Sequence, residues 1–197
     1  MENISILSVP GLASSGPSHW QTLWEQKFPN AFKRVEQENW DLPYCETWVN
    51  KLNDEIQNTD RPTYLVAHSL GCITIVHWAK QFDNPNIKGA FLVAPADVEN
   101  AKNLNFVVFF NPIPQNKLPF ESMLLASTDD RYTPLEISKR LAHNWGSKFI
   151  NVGANGHINA NSNLGNWNEG LDYLNEFIKT KSENEITENH NYSHSIS

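Results

Sequence analysis

Short apolar runs alternate along the chain with stretches whose apolar residues recur at helical spacing. Ile4–Val9 (ISILSV) reads as a strand, stopped by Pro10 and Gly11. Ser18–Phe28 reads as a helix with Trp20, Leu23, Trp24 and Phe28 on one face. Phe32–Glu38 is a second predicted strand, and Tyr44–Ile56 a helix with Trp48, Leu52 and Ile56 aligned. Thr63–Ala67, Ile87–Val93, Ser122–Ala126 and Lys148–Val152 are further strands. Between them Leu70–Phe82 and Pro134–Trp145 read as helices, and Trp167, Leu171, Leu174 and Ile178 mark a last one. Strands this uniformly apolar, each followed by a helix, predict an α/β fold with about six mainly parallel strands and helices on both faces. In such a sheet ligands sit beyond the carboxyl ends of the strands. The residues just past each strand are therefore where chemistry is sought.

Two segments depart from this rhythm. Ala94–Pro119 is a long connection carrying Phe106, Phe109 and Phe110, and its length suggests a lid or binding loop. Residues 180–197 are polar and almost free of core residues, so the reading is a domain over 1–179 followed by a disordered tail. His190 and His194 in that tail stand four apart, but without partners they read as solvated rather than metal-binding.

Composition narrows the function. With 197 residues, the chain suits one domain with a substantial core. Its net charge of -7, with no basic block, argues against a nucleic-acid partner. The two cysteines, Cys45 and Cys72, form neither a disulfide framework nor a zinc pattern. No stretch reads as a signal peptide or membrane span, so the expected location is the cytoplasm. The Pro10–Gly16 loop matches neither glycine-rich nucleotide motif, and no cofactor or metal is expected.

The strand over Thr63–Ala67 ends in Ala67-His68-Ser69-Leu70-Gly71. A small residue two positions before and after a serine, between strand and helix, fits a sharp turn that lifts the hydroxyl above the sheet. The usual pattern has glycine at both flanks; Ala67 adds one methyl. The plain alternative is a helix N-cap serine. A serine nucleophile needs a histidine base oriented by a carboxylate, and on such a sheet they follow in the order Ser, Asp, His. Asp129 and Asp130 follow the Ser122–Ala126 strand, and His157 follows Lys148–Val152. Asp129 lies nearer its strand; Asp130, four residues before the helix-opening Pro134, is preferred. His68 is expected to pack or hydrogen-bond beside the turn, and His19, His77 and His143 to sit in helices without function. The Leu70 amide, at a helix N-terminus, is one candidate oxyanion donor. The Leu12 amide is the second, with Ser14 and Ser15 as side-chain alternatives.

These segments together resemble the alpha/beta-hydrolase superfamily. More narrowly they resemble the small serine hydrolases grouped with retinoblastoma-binding protein nine and its bacterial relatives. The carriers are VPGLASSGPSHWQTLWE at Val9–Glu25, VAHSLGC at Val66–Cys72 and LVAPADVE at Leu92–Glu99, then ASTDDRYTP at Ala126–Pro134 and GHINANSNLGNWNEG at Gly156–Gly170. The resemblance spans about Ile4 to Lys179 and implies a compact alpha/beta-hydrolase fold without a large cap. It implies Ser69 as nucleophile, His157 as base and Asp130 as orienting acid; the family's separation of acid and histidine also favours Asp130 over Asp129. Relatives are described as esterases or hydrolases, some acting on amino-acid esters or as peptidases. The expectation is thus a serine hydrolase acting on a small acyl substrate, an ester, thioester or amide, through an acyl-enzyme. The alternatives are a hydrolase-fold binding protein with little turnover, or an acyltransferase. Phe106, Phe109 and Phe110, with Trp20 or Trp40, are expected to line the acyl pocket, and Asn159 and Asn161 are open as substrate contacts.

Overall fold

The computed structural model describes the main chain of residues 3–100 and 105–193, and side-chain surroundings for 3–100, 107 and 109–180. Six strands form one parallel sheet: β1 (Ser5–Val9), β2 (Phe32–Arg34), β3 (Thr63–His68), β4 (Ile87–Val93), β5 (Ser122–Ala126) and β6 (Lys148–Asn151), in the spatial order β2-β1-β3-β4-β5-β6. The helices are α1 (Trp20–Lys27), α2 (Cys45–Gln57), α3 (Leu70–Gln81), α4 (Leu135–Trp145) and α5 (Asn168–Ser193).

Alternation along the strands sorts the core. Leu7, Val9, Leu65, Ala67, Ala90, Leu92, Leu124 and Ala126 point to one face. There they join Trp48, Leu52, Ile73, Trp78, Leu141 and Trp145 from α2, α3 and α4. The intervening residues point to the other face, where Trp20 of α1 meets His68 and Trp24 meets Phe32. The near-continuous apolar strands are thus explained by burial on both sides.

Several boundaries move. β2 ends at Arg34 rather than Glu38, because the chain leaves the sheet edge once Val35 N–H has bonded to Ser8 C=O, and Gln37 turns in toward Trp48 C=O. The 94–119 connection is not all loop: Asn105–Phe110 is a 3-10 helix, and Val98, Val107, Phe110, Ile113 and Leu118 are buried in the core. Residues 180–193, expected to be disordered, continue α5 as helix; no glycine or proline follows Gly170 to stop it. His194 lies outside the described residues. Contacts divide the chain into a unit through Asn166 and a second that begins at Trp167 and carries α5. Among the described residues no helix is long and apolar enough to cross a membrane. Nor is any group of three or more His, Cys, Asp or Glu among them arranged to hold a metal ion.

Candidate active site

The end of β3 turns into α3 at Ser69, whose φ of 54° and ψ of -119° lie where non-glycine residues are strained. The turn is held by main-chain bonds: Ser69 N–H to Val93 C=O, and Cys72 N–H and Ala96 N–H to Ser69 C=O. The small flanking residues have a direct reason. A Cβ on Gly71 would collide with the carbonyl oxygen of Val9, at the end of β1. A Cβ on Gly11 would lie 2.9 Å from Ser69 Cβ and 3.0 Å from His68 C=O. The loop after β1 therefore sits directly on the turn, as an amide donor beside Ser69 requires.

Three residues chosen from sequence meet here. His157 Nε2 is 2.9 Å from Ser69 Oγ, and His157 Nδ1 is 2.7 Å from Asp130 Oδ2. Asp130 Oδ1 accepts from Tyr132 N–H at 2.8 Å and Thr133 N–H at 3.4 Å, which fixes the carboxylate plane. Its side chain is only 3% exposed and that of His157 9%, so the pair is largely withdrawn from water. Asp129 points elsewhere: Oδ1 accepts from Ser127 Oγ and Gly156 N–H, both at 2.7 Å. These bonds, the Ser127 hydroxyl first, hold the Asp129 carboxyl below its usual pKa.

Leu12 and Leu70 both border the cleft beside Ser69. Among the described residues neither main-chain N–H has a protein partner. The loop carrying Leu12 is tethered by Arg34, which donates to Ser14 Oγ and Ser15 C=O and pairs with Glu25 at 2.8 Å. On the far side, Trp20 and Trp24 donate their indole N–H groups to Ile158 C=O and Asn166 C=O, pinning the segment after His157. The SHWQTLWE stretch thus holds both the loop before it and the histidine loop, a role that helical spacing alone does not reveal.

The cleft has a volume of about 670 Å³. Leu12, Val98 and Val107 give it apolar wall, and Asp97, Asn100, Arg131, Tyr132, Asn159 and Asn161 polar wall. Among the described residues, the aromatics expected to line it do not. Trp20 and Phe110 are buried in the core, Trp40 packs partly buried against it, and Phe109 packs against Tyr44 with ring centroids 4.4 Å apart and the rings tilted. The Phe106 side chain lies outside the described residues. Among the described residues, Tyr132, edge-on to His157 at 4.7 Å, gives the cleft an aromatic wall.

Two further histidines border the cleft: His19, expected to have no function, and His68, expected to pack or hydrogen-bond beside the turn. His19 is the N-cap of α1, its Nδ1 accepting from Gln21 N–H. It packs against His68 with centroids 4.8 Å apart, and His68 against His157 at 4.9 Å. Burial pushes His19 down to about 3 and His68 well below the ordinary imidazole range, so both are neutral at pH 7.

Residues 6–176 match the family described as serine hydrolase. The Bacillus subtilis (strain 168) protein named "Putative hydrolase YdeN" is 27% identical over 125 residues, 59% of this chain; the match spans 64% of that protein's length. The solved structure of a "putative yden-like hydrolase" from Pectobacterium atrosepticum is 30% identical, with a TM-score of 0.81 over 91% of this chain and 92% of that one. Est1E from Butyrivibrio proteoclasticus, 12% identical with a TM-score of 0.70 over 93% of this chain and 90% of its own, shares the fold alone. A match over most of the chain, on a sheet of this order, makes the protein a hydrolase of the serine hydrolase family, built on the alpha/beta-hydrolase fold.

Proposed function

We propose that the enzyme cleaves a small ester, thioester or amide through an acyl-enzyme formed on Ser69. The observation that carries this reading is the unbroken hydrogen-bonded line from Asp130 through His157 to Ser69, opening on the cleft. His157 Nε2 takes the hydroxyl proton as Ser69 Oγ bonds to the carbonyl carbon. The negative oxygen is received by the N–H groups of Leu12 and Leu70. The tetrahedral species expels the alcohol, thiol or amine, which leaves with the proton from His157. Water, deprotonated by His157, then cleaves the acyl-enzyme to the carboxylic acid and restores Ser69. Asp130 holds the imidazole with its proton on Nδ1 throughout.

The cleft supports an acyl group of modest size that meets aliphatic wall at Leu12, Val98 and Val107 and amide groups at Asn100, Asn159 and Asn161. The narrower grouping with the relatives of retinoblastoma-binding protein nine belongs to this proposal and rests on segments such as VAHSLGC, ASTDDRYTP and GHINANSNLGNWNEG. A fluorophosphonate probe tests the reading: intact protein is labelled and Ser69→Ala is not. Equal labelling of the two sinks it, and absence of labelling in intact protein favours a binding module on a hydrolase scaffold. Product analysis with competing alcohols or amines separates hydrolysis from acyl transfer.

A further inference from the structure

We propose that His68 and Asp129 are positioning residues that clamp the main chain of His157 from its two sides. The inference rests on the reading of His157 as the base. His157 lies in an irregular segment where Gly153, Gly156 and Ile158 have φ of 77°, 56° and 49°. No helix or strand of its own fixes that segment, yet the ring must span two partners at 2.7 and 2.9 Å. Asp130 holds one ring nitrogen. A ring tethered at one atom still swings with its backbone, so the backbone must be fixed as well.

It is fixed on both flanks. On the N-terminal side, Gly156 N–H donates to Asp129 Oδ1 at 2.7 Å. The same oxygen accepts from Ser127 Oγ, which accepts in turn from Asn155 N–H at 2.8 Å, so the segment is laced to the end of β5. On the C-terminal side, His157 C=O is 2.9 Å from His68 Nε2. A carbonyl oxygen only accepts, so His68 must carry its proton on Nε2. His68 is itself fixed, 5% exposed and packed between the rings of His19 and His157. It is also the residue before Ser69 on β3. Base and nucleophile are thereby referred to the same few atoms of one strand, and the spacing between them does not depend on a flexible loop.

The consecutive Asp129 and Asp130 then act on the base in two different ways. Asp130 orients the ring, and Asp129 holds the main chain behind it. The full chain is tested as Asp129→Ala and His68→Leu, beside Asp129→Asn and His68→Gln, which keep an acceptor oxygen and a donor nitrogen. Displacement of the base predicts a fall in kcat for a short nitrophenyl ester of about tenfold to a hundredfold, with KM changed by no more than about twofold. The downfield NMR resonance of the His157 Nδ1 proton broadens in both variants. The Asn and Gln forms recover much of the kcat and the resonance. Unchanged kcat in folded Ala and Leu variants overturns the clamp. So does a loss seen in KM alone, a loss from one side only, or an unaltered resonance. Should Ala or Leu prevent folding, the Asn and Gln forms decide: native kcat and resonance support the clamp, and loss of kcat with the resonance intact overturns it. Ser69→Ala and His157→Ala are run alongside. If they still turn over, the reading of the base fails; if they are dead while the four clamp variants match the parent, only the clamp fails.

Discussion

Replacing His19 by Asn removes a titrating group from the interior while keeping an N-cap acceptor for Gln21 N–H. His19 is 4% exposed, and its pKa falls from 6.5 to about 3, through burial first, then its proximity to Arg34 and to His157. Between those values the unfolded chain binds a proton that the folded chain refuses. Stability contributed by this residue is thus complete above 6.5 and is lost as the pH falls toward 3. Integrating the linkage from pH 7 to pH 5 gives a loss of about 2 kcal/mol from this one side chain. The Asn variant lacks that loss. It carries instead a pH-independent packing cost of about 1–2 kcal/mol from the smaller side chain. Urea unfolding followed by tryptophan fluorescence at pH 7, 6 and 5 reads both quantities. The parent leads at pH 7, and its lead shrinks by about 2 kcal/mol at pH 5. A stability gap constant to within about 0.5 kcal/mol across that range would refute the reasoning, because a packing change alone has no pH dependence.

The remaining predictions concern the frame of the site. Gly71→Ala drives a methyl into Val9 C=O and to 2.8 Å from Pro10 C=O. It costs on the order of 1–3 kcal/mol by thermal unfolding, and it lowers kcat further by shifting the loop that carries Leu12. Arg34→Ala frees that loop and leaves Glu25 unpaired; chemical denaturation should show a loss of about 2 kcal/mol, with reduced fluorophosphonate labelling. The Cys45 thiol is pushed up to about 12 by burial, and that of Cys72 higher still. Ellman's reagent should therefore react slowly with native protein and find both thiols only after denaturation.

The sheet was legible because burial of β1, β3, β4 and β5 on both faces leaves a pattern in one short window, and because each candidate catalytic residue follows a strand. Ser69 and His157 as candidates needed only that topology and their order; the preference for Asp130 over Asp129 needed its place before Pro134 and the family resemblance as well. Roles that depend on which way a side chain leaves the backbone were not legible. The loop phenylalanines looked like pocket lining, yet Phe110 turns inward against Trp48, with centroids 5.8 Å apart, and Phe109 outward onto Tyr44. Composition cannot tell which side of an irregular loop is the core. Asp129 and Asp130 are neighbours with one chemistry and different partners, separated only by the turn that sends one toward the ring and the other toward Gly156. The continuation of α5 over 180–193 leaves no sign in the sequence for another reason: polar residues remove the packing signal of a helix without supplying anything that breaks one.

The column of three imidazoles joins the acid sensitivity of the fold to the proposed chemistry. In the proposed mechanism His157 becomes cationic as it takes the Ser69 proton, and Asp130 at 2.7 Å would balance that charge on one side. On the other side stands His68, its ring 4.9 Å away. Were His68 also charged, the two cations would repel by about 3 kcal/mol at an effective dielectric constant near 20. That is on the order of a hundredfold in rate. Burial prevents it: desolvation is the largest cause lowering His68, followed by the neighbouring His19 and His157. The penalty that makes a buried histidine costly to the fold in acid is the same one that reserves the positive charge for His157. A polar substitute for His68 that hydrogen-bonds without titrating, such as Gln, therefore preserves both the main-chain clamp and the charge arrangement. A cationic one, such as Lys, could still donate to His157 C=O yet would oppose the charge that forms on the base. Its kcat should fall well below that of the Gln form even where the two fold equally well.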